Sequence, residues 1–281
     1  MKVLSYKDSG YEKFVKKLDR KAIPSVDLYD TVAAIIENVK SKGNKALFEY
    51  TEKFDKLKLT AKTLYVTDAE LEEAESLVED SVKKAIAAAK KNIHAFAKRS
   101  MRKDWKAKNR EGVEVGERFT PYDRVGVYVP GGRASYPSSV LMNVVPAKIA
   151  GVERIVMVAP APQGELSPAV AYAALKAGVE EFYPIGGAQA VGALAFGTSN
   201  MAPVDKIVGP GNAFVAEAKR QVFGRVGIDT IAGPSEILVI ADHTANPDWI
   251  AADLLSQAEH DPSSQSILIV VDQAVGDSVE G

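Results

Sequence analysis

Val125-Gly126-Val127-Tyr128-Val129-Pro130-Gly131-Gly132 is the stretch on which the fold turns. An apolar run this short, closed by Pro and Gly, reads as a strand buried on both faces, and such strands belong to parallel sheets. The residues downstream keep the matching rhythm. A helical pattern over 140–150 leads to a strand at 155–159, a helix at 168–177 and a strand at 182–185. A helix at 188–196, a strand at 206–208 and a helix from about Asn212 to Arg225 continue it. This alternation defines the α/β class, a doubly wound parallel sheet with helices on both faces. The rhythm restarts at Glu236-Ile237-Leu238-Val239-Ile240-Ala241, with a helix through His260 and a strand at 266–271. One strand–helix–strand does not close a doubly wound domain, so this second unit reads as incomplete. The tail from Asp272 to Gly281 reads as polar, with little apolar pattern.

Upstream the texture is helical. Ser25 and Asp27 precede an apolar stripe of Val32, Ala33, Ile35, Ile36 and Val39 that stops at Gly43. A short helix comes next over 44–54, and Thr67 with Glu70 makes a capping-box start for another. The longest pattern covers 81–105, with Val82, Ile86, Ile93 and Phe96 toward a core and a solvated charged face. The expected organisation is a helical N-terminal region (1–112), a first dinucleotide-binding-like α/β unit (113–232) and the beginning of a second, truncated unit (233–281).

Composition mainly excludes. With 46% hydrophobic and 26% charged residues the chain is ordinary for a globular protein, so function rests on motifs. A net charge of −2 gives no electrostatic reason to expect nucleic acid or an anionic membrane. Neither a transmembrane-length apolar run nor a signal-peptide pattern is present, so a cytoplasmic address is the default expectation. The absence of cysteine rules out disulfides, thiolate metal ligands and a thiol nucleophile within these residues. Of the three histidines, His94 in a helix and His243 in a turn read as surface or packing residues. His260 differs, because it shares a helix face with Gln257 and is flanked by Glu259 and Asp261. An imidazole beside an amide oxygen is a start for a divalent-metal site, with further ligands needed from elsewhere.

In open parallel sheets ligands sit beyond the carboxyl ends of the strands. The loops 128–132, 186–190, 209–212 and 233–236 are rich in Gly and Pro and fall at expected strand–helix junctions. Glycine lets backbone N–H groups approach a ligand, and a helix N-terminus favours a negative group. None is a Walker A loop or a Gly-x-Gly-x-x-Gly fingerprint. Singly, each reads as a turn; together, with Gln189, Asn212 and Ser235 able to hydrogen-bond, they point to a nucleotide or small polar ligand.

Arg124–Gly132, Gly186–Ala190, Val204–Val215, Ala232–Glu236 and Asp253–Pro262, in this order, resemble histidinol dehydrogenase. The resemblance covers the chain from about Val113 onward and implies an NAD- and zinc-dependent enzyme of histidine biosynthesis. Such an enzyme oxidises L-histidinol to L-histidine through histidinaldehyde. By the same resemblance Tyr128, Gln189 and Asn212 match NAD contacts, Ser235 matches a substrate contact, and Gln257 and His260 match zinc ligands bordering the substrate. An intertwined homodimer is also implied. The family's Glu-His catalytic pair and two further zinc ligands lie C-terminal to the Gln-Ala-Glu-His motif, and no histidine follows His260 here. The catalytic base is therefore unassigned, and these 281 residues are expected to form a truncated, impaired or inactive form. A non-catalytic NAD-binding or scaffold fragment, or a dehydrogenase of another amino alcohol, stays open. An unfinished sheet would expose apolar residues such as those from Ile267 to Val271, which predicts an oligomer or other edge protection.

Overall fold

The computed structural model describes residues 3–18, 26–131, 135–231, 236–259 and 264–280. Helices α1 (Tyr11–Leu18), α2 (Val26–Lys42), α3 (Asn44–Asp55), α4 (Asp68–Leu77) and α5 (Asp80–Ser100) come first. Strands β1 (Trp105–Lys108) and β2 (Glu114–Glu117) are next. Then β3 (Arg124–Tyr128), α6 (Pro137–Ile149), β4 (Arg154–Val158), α7 (Pro168–Ala177) and β5 (Glu181–Tyr183) alternate. The alternation continues through α8 (Gly187–Phe196), β6 (Lys206–Val208), α9 (Ala213–Val222) and β7 (Gly227–Ile228). Last come β8 (Glu236–Ala241), α10 (Pro247–Ala258), β9 (Gln265–Val270) and α11 (Gln273–Glu280). No helix among the described residues is long and apolar enough to cross a membrane.

Two compact units result, one formed by residues 24–231 and the other by 1–23 with 232–281. The larger holds a parallel sheet in the order β5-β4-β3-β6-β7, so strand order reverses beside β3. Alternating side chains feed two cores. Val125, Val127, Ile155 and Met157 pack with α4, α5, α6 and α7, while Tyr128, Val156, Val158 and Ile207 pack with α2, α3, α8 and α9. Both faces of every central strand are thus dry, which is why these strands read as continuous apolar runs.

Helices α2 to α5 complete this unit: Val32, Ile35, Ile36 and Val39 of α2 close one face, and Leu71, Ala74 and Ile86 help close the other. Residue 113, where the sequence changes texture, falls inside a hairpin. The helix expected to run to Trp105 stops at Ser100, with Met101 already extended. Trp105 instead begins β1, antiparallel to β2, with its indole N–H donating to Glu117 at 2.7 Å. The Asn109 carbonyl closes the turn by accepting from the Gly112 N–H. A second correction falls after α9, which ends at Val222 rather than Arg225, because extended Phe223 and the Gly224 turn lead into the short strand β7. The capping box is as expected: Thr67 accepts from the Glu70 N–H, and the Glu70 carboxylate accepts from that of Thr67. Ser25, expected before α2, lies outside the described residues.

In the smaller unit β8 and β9 pair in parallel, and α10 and α11 supply a core of Ile250, Leu254 and Val275 against Ala241. The polar-reading tail is helix α11: Val275 and Val279, one turn apart, share the face that packs. The other face of the sheet is open, with Leu238 54% and Ile240 72% exposed.

Candidate functional site

The carboxyl edge of the five-stranded sheet collects the loops after β3, β5 and β6. Of the fourth loop only Glu236, the first residue of β8 in the other unit, is described; Ser235 and the rest of residues 232–235 lie outside the described ones. Among the described residues the edge of the five-stranded sheet carries three of these loops, and β8 belongs to a separate two-stranded sheet.

Tyr128 ends β3 with its ring in the core, only 3% exposed. Its hydroxyl oxygen accepts the Gly187 N–H at 3.0 Å, tying β3 to the first residue of α8. Burial pushes this phenol up to about 12; the Gly187 N–H pulls it down, and the charge of Asp55 pushes it further up. It is thus a neutral hydrogen-bonding group throughout the physiological range. Gln189, in the first turn of α8, is 2% exposed. Its amide has no hydrogen-bond partner among the described residues and folds back over Gly187, where a Cβ would meet its oxygen at 2.6 Å. Gly187 has φ +66°, so glycine is required there on both counts. Its polar atoms are not among the buried ones that lack a partner, so the amide keeps contact with solvent and is free to bond a ligand.

Asn212 caps α9. Its oxygen accepts from the N–H groups of Phe214 and Val215, both at 3.1 Å, so only its exposed NH2 remains for a ligand. The loop before it is clamped by residues that the sequence reading passed over. Asp229 accepts the Gly209 N–H at 2.8 Å, the Lys219 ammonium donates to the Gly209 carbonyl at 2.9 Å, and the same ammonium pairs with Asp229. Gly209 has φ +110°, and a Cβ there would lie 2.1 Å from the Tyr128 carbonyl oxygen. Lys219 did leave a signal: it falls among Val215, Ala218 and Val222 at the spacing of a core-facing stripe.

Asp55, at the end of α3, was also missed. Its Oδ2 is buried without a partner, and burial raises its carboxyl above the ordinary range. A carboxylate in the last turn of a helix opposes the helix dipole, which was the available sign.

In the smaller unit, Gln257 lies on α10, half-buried, with Nε2 unpartnered. Rotating the amide would put its oxygen at that orphaned position, where a metal could take it. His260 lies outside the described residues. Among the described residues no group of three or more His, Cys, Asp or Glu is placed to hold a metal. His94 and His243 are exposed, as their sequence context suggests.

A doubly wound α/β sheet whose order reverses at β3, with glycine-dependent loops and an unpaired amide at its carboxyl edge, is the architecture of a ligand-binding α/β unit. Comparison with known proteins narrows the class. The family model for histidinol dehydrogenase matches residues 18–281. Histidinol dehydrogenase of Rhodospirillum rubrum is 55% identical over 267 residues, covering 95% of this chain and 62% of the relative. That of Rhizobium meliloti is 55% identical over 278 residues, covering 99% and 64%. The crystal structure of histidinol dehydrogenase from Elizabethkingia anophelis superposes with a TM-score of 0.88 at 40% identity, over 95% of this chain and 62% of that one. The chain belongs to the histidinol dehydrogenase family, and it spans somewhat less than two thirds of the length of these relatives.

Proposed function

We propose that the chain carries the cofactor edge, and part of the zinc and substrate site, of an NAD-dependent oxidoreductase that converts L-histidinol to L-histidine. The observation that carries this reading is the Gln189 amide at the sheet edge, which no hydrogen bond among the described residues occupies, in a chain of this family. Tyr128 fixes the Gly187 backbone, Gln189 offers an amide, and the Asn212 NH2 faces solvent at the start of α9. These groups fit the hydroxyls and phosphates of a dinucleotide, which would supply hydride acceptance when bound. Gln257 and His260 would contribute to a zinc ion, with Ser235 touching substrate; zinc would supply Lewis-acid orientation of the substrate nitrogens. The homodimer is part of the same proposal. A general base for the alcohol proton is not assigned, and the zinc set is short of the three or four protein ligands a stable site takes. The 281 residues alone are therefore expected to bind NAD while turning over little or no histidinol.

The test pairs NAD titration by calorimetry with NADH production from L-histidinol and zinc. A chain extended at its C-terminus with the remaining sequence of a relative serves as comparison. Saturable NAD binding by the 281-residue chain, with turnover only in the extended one, is expected. No NAD binding by either would refute the cofactor assignment, and brisk turnover by the short chain would refute its impairment.

A further inference from the structure

Asp55 is a half-buried carboxylate near the sheet edge whose Oδ2 is buried with no hydrogen-bond partner among the described residues. Its position is set by how α3 lies. Asn44, at the start of α3, bonds to Asn200 just beyond the end of α8. Leu57, just past the end of α3, packs at 3.5 Å from where a Cβ on Gly164 would sit, in the loop after β4. Helix α3 therefore runs antiparallel to α8 and delivers Asp55 to the carboxyl edge, where α8 begins. The Tyr128 hydroxyl is held at the same end of α8 by the Gly187 N–H and feels the charge of Asp55, and no hydrogen bond joins the two.

Their hydrogen-bonding needs are complementary. The Tyr128 oxygen already accepts from Gly187, which leaves its O–H to donate, and no acceptor for it is present among the described residues. Asp55 Oδ2 has room for a donor and none arrives. A group that accepts from one and donates to the other meets both needs, and a hydroxyl is the simplest such group. A phosphate could serve the phenol but would be repelled by the carboxylate.

We propose that Asp55 is a cofactor-binding residue whose carboxylate accepts a hydrogen bond from a ribose hydroxyl of the bound dinucleotide, with the Tyr128 O–H facing the same hydroxyl. This rests on the NAD reading above and adds to it a specific acceptor. Leaving a carboxylate oxygen buried and unpaired lowers stability in the free protein. Its raised pKa means the folded state holds the Asp55 proton more tightly than the unfolded one. Stability therefore declines as pH rises from the unfolded carboxyl range through the folded value. Asp55→Asn removes the charge while keeping the shape, so it is expected to raise Tm at pH 7 and weaken NAD binding together.

The experiment titrates NAD into the parent chain, Asp55→Asn and Asp55→Ala, and records Tm for each without ligand. Dinucleotides lacking a ribose hydroxyl on the adenosine or on the nicotinamide side are titrated alongside. The expected result is a Kd for NAD weakened about ten-fold or more by Asp55→Asn, as for loss of a hydrogen bond to a charged group. One deoxy analogue should bind parent and variant alike, which names the ribose. A parent that binds NAD with a Kd unchanged in both variants overturns the inference and leaves the NAD reading standing. A parent that binds no NAD overturns both. If neither variant folds, the analogues on the parent decide: equal affinity for NAD and both deoxy forms overturns the proposal. A raised Tm with unchanged NAD affinity would mean that Asp55 is hydrated in the complex, and that too overturns it.

Discussion

Replacing Lys219 by Met tests how the carboxyl edge of the five-stranded sheet is held. The ammonium is 2% exposed and makes two contacts that nothing else replaces, one to the Gly209 carbonyl at 2.9 Å and one to the Asp229 carboxylate. Methionine fills nearly the same volume, so little cavity energy enters. What is lost is a donor to a carbonyl and the counter-charge of a carboxylate. An orphaned buried acceptor costs about 1–3 kcal/mol. Breaking a fully buried ion pair costs about 3–5 kcal/mol, but Asp229 keeps 29% of its side chain exposed and water screens much of that. Together they predict a loss of about 2–4 kcal/mol in urea unfolding at an unchanged m-value. Asp229→Asn in the Lys219→Met background should cost less than the two single changes summed, by about 1–2 kcal/mol, because the second change relieves the stranded charge. NAD affinity should fall as well, since Asp229 also fixes the Gly209 N–H at the turn before Asn212. If Lys219→Met stays within about 0.5 kcal/mol of the parent, the ammonium is not what holds the turn and the clamp is refuted.

Tyr128→Phe removes the acceptor of the Gly187 N–H and should cost about 1 kcal/mol, with a larger relative loss in NAD affinity. Because the folded phenol holds its proton to about pH 12, stability from Tyr128 is complete below the unfolded value near 10. It should disappear as pH rises from there toward 12, and the parent's alkaline unfolding should lose that slope in Tyr128→Phe. The open face of β8–β9, where Leu238 and Ile240 are uncovered, predicts self-association of the 281-residue chain. Light scattering that shows a monomer across micromolar dilution would contradict this.

The strands were legible because each central strand has dry surroundings on both sides, and a doubly buried strand has no choice but to be apolar throughout. Helix α5 reads too long in the sequence since Trp105 continues an acceptable helical composition; what stops the helix is the pairing of Trp105 with Glu117, a contact twelve residues away that no local pattern records. Tyr128, Gln189 and Asn212 stand out by their place at strand ends, but their division of labour does not. Asn212 spends its oxygen on a helix cap, and Tyr128 turns inward to hold Gly187. Those uses depend on backbone groups brought together from different loops. Asp55 and Lys219 left only faint local signs for the same reason: each is a charged residue whose meaning comes from a distant partner or from the lack of one.

A common logic joins these residues. Gly187 and Gly209 both occupy positive φ at the edge, and neither could hold that conformation by side-chain packing of its own. In each case a buried polar group from another element grips the peptide: the Tyr128 hydroxyl holds one N–H, and Lys219 with Asp229 holds the other residue by both its N–H and its carbonyl. Such grips cost desolvation, so they are stable only if the loops they fix are already dry beneath, as the cores on either side of β3 make them. The loops are thereby set before any ligand arrives. The polar groups without a hydrogen bond at the same edge, the Gln189 amide and the buried Asp55 Oδ2, are then not failures of packing. They stand against a rigid backbone that cannot relax to satisfy them, and only a group supplied from outside can do so.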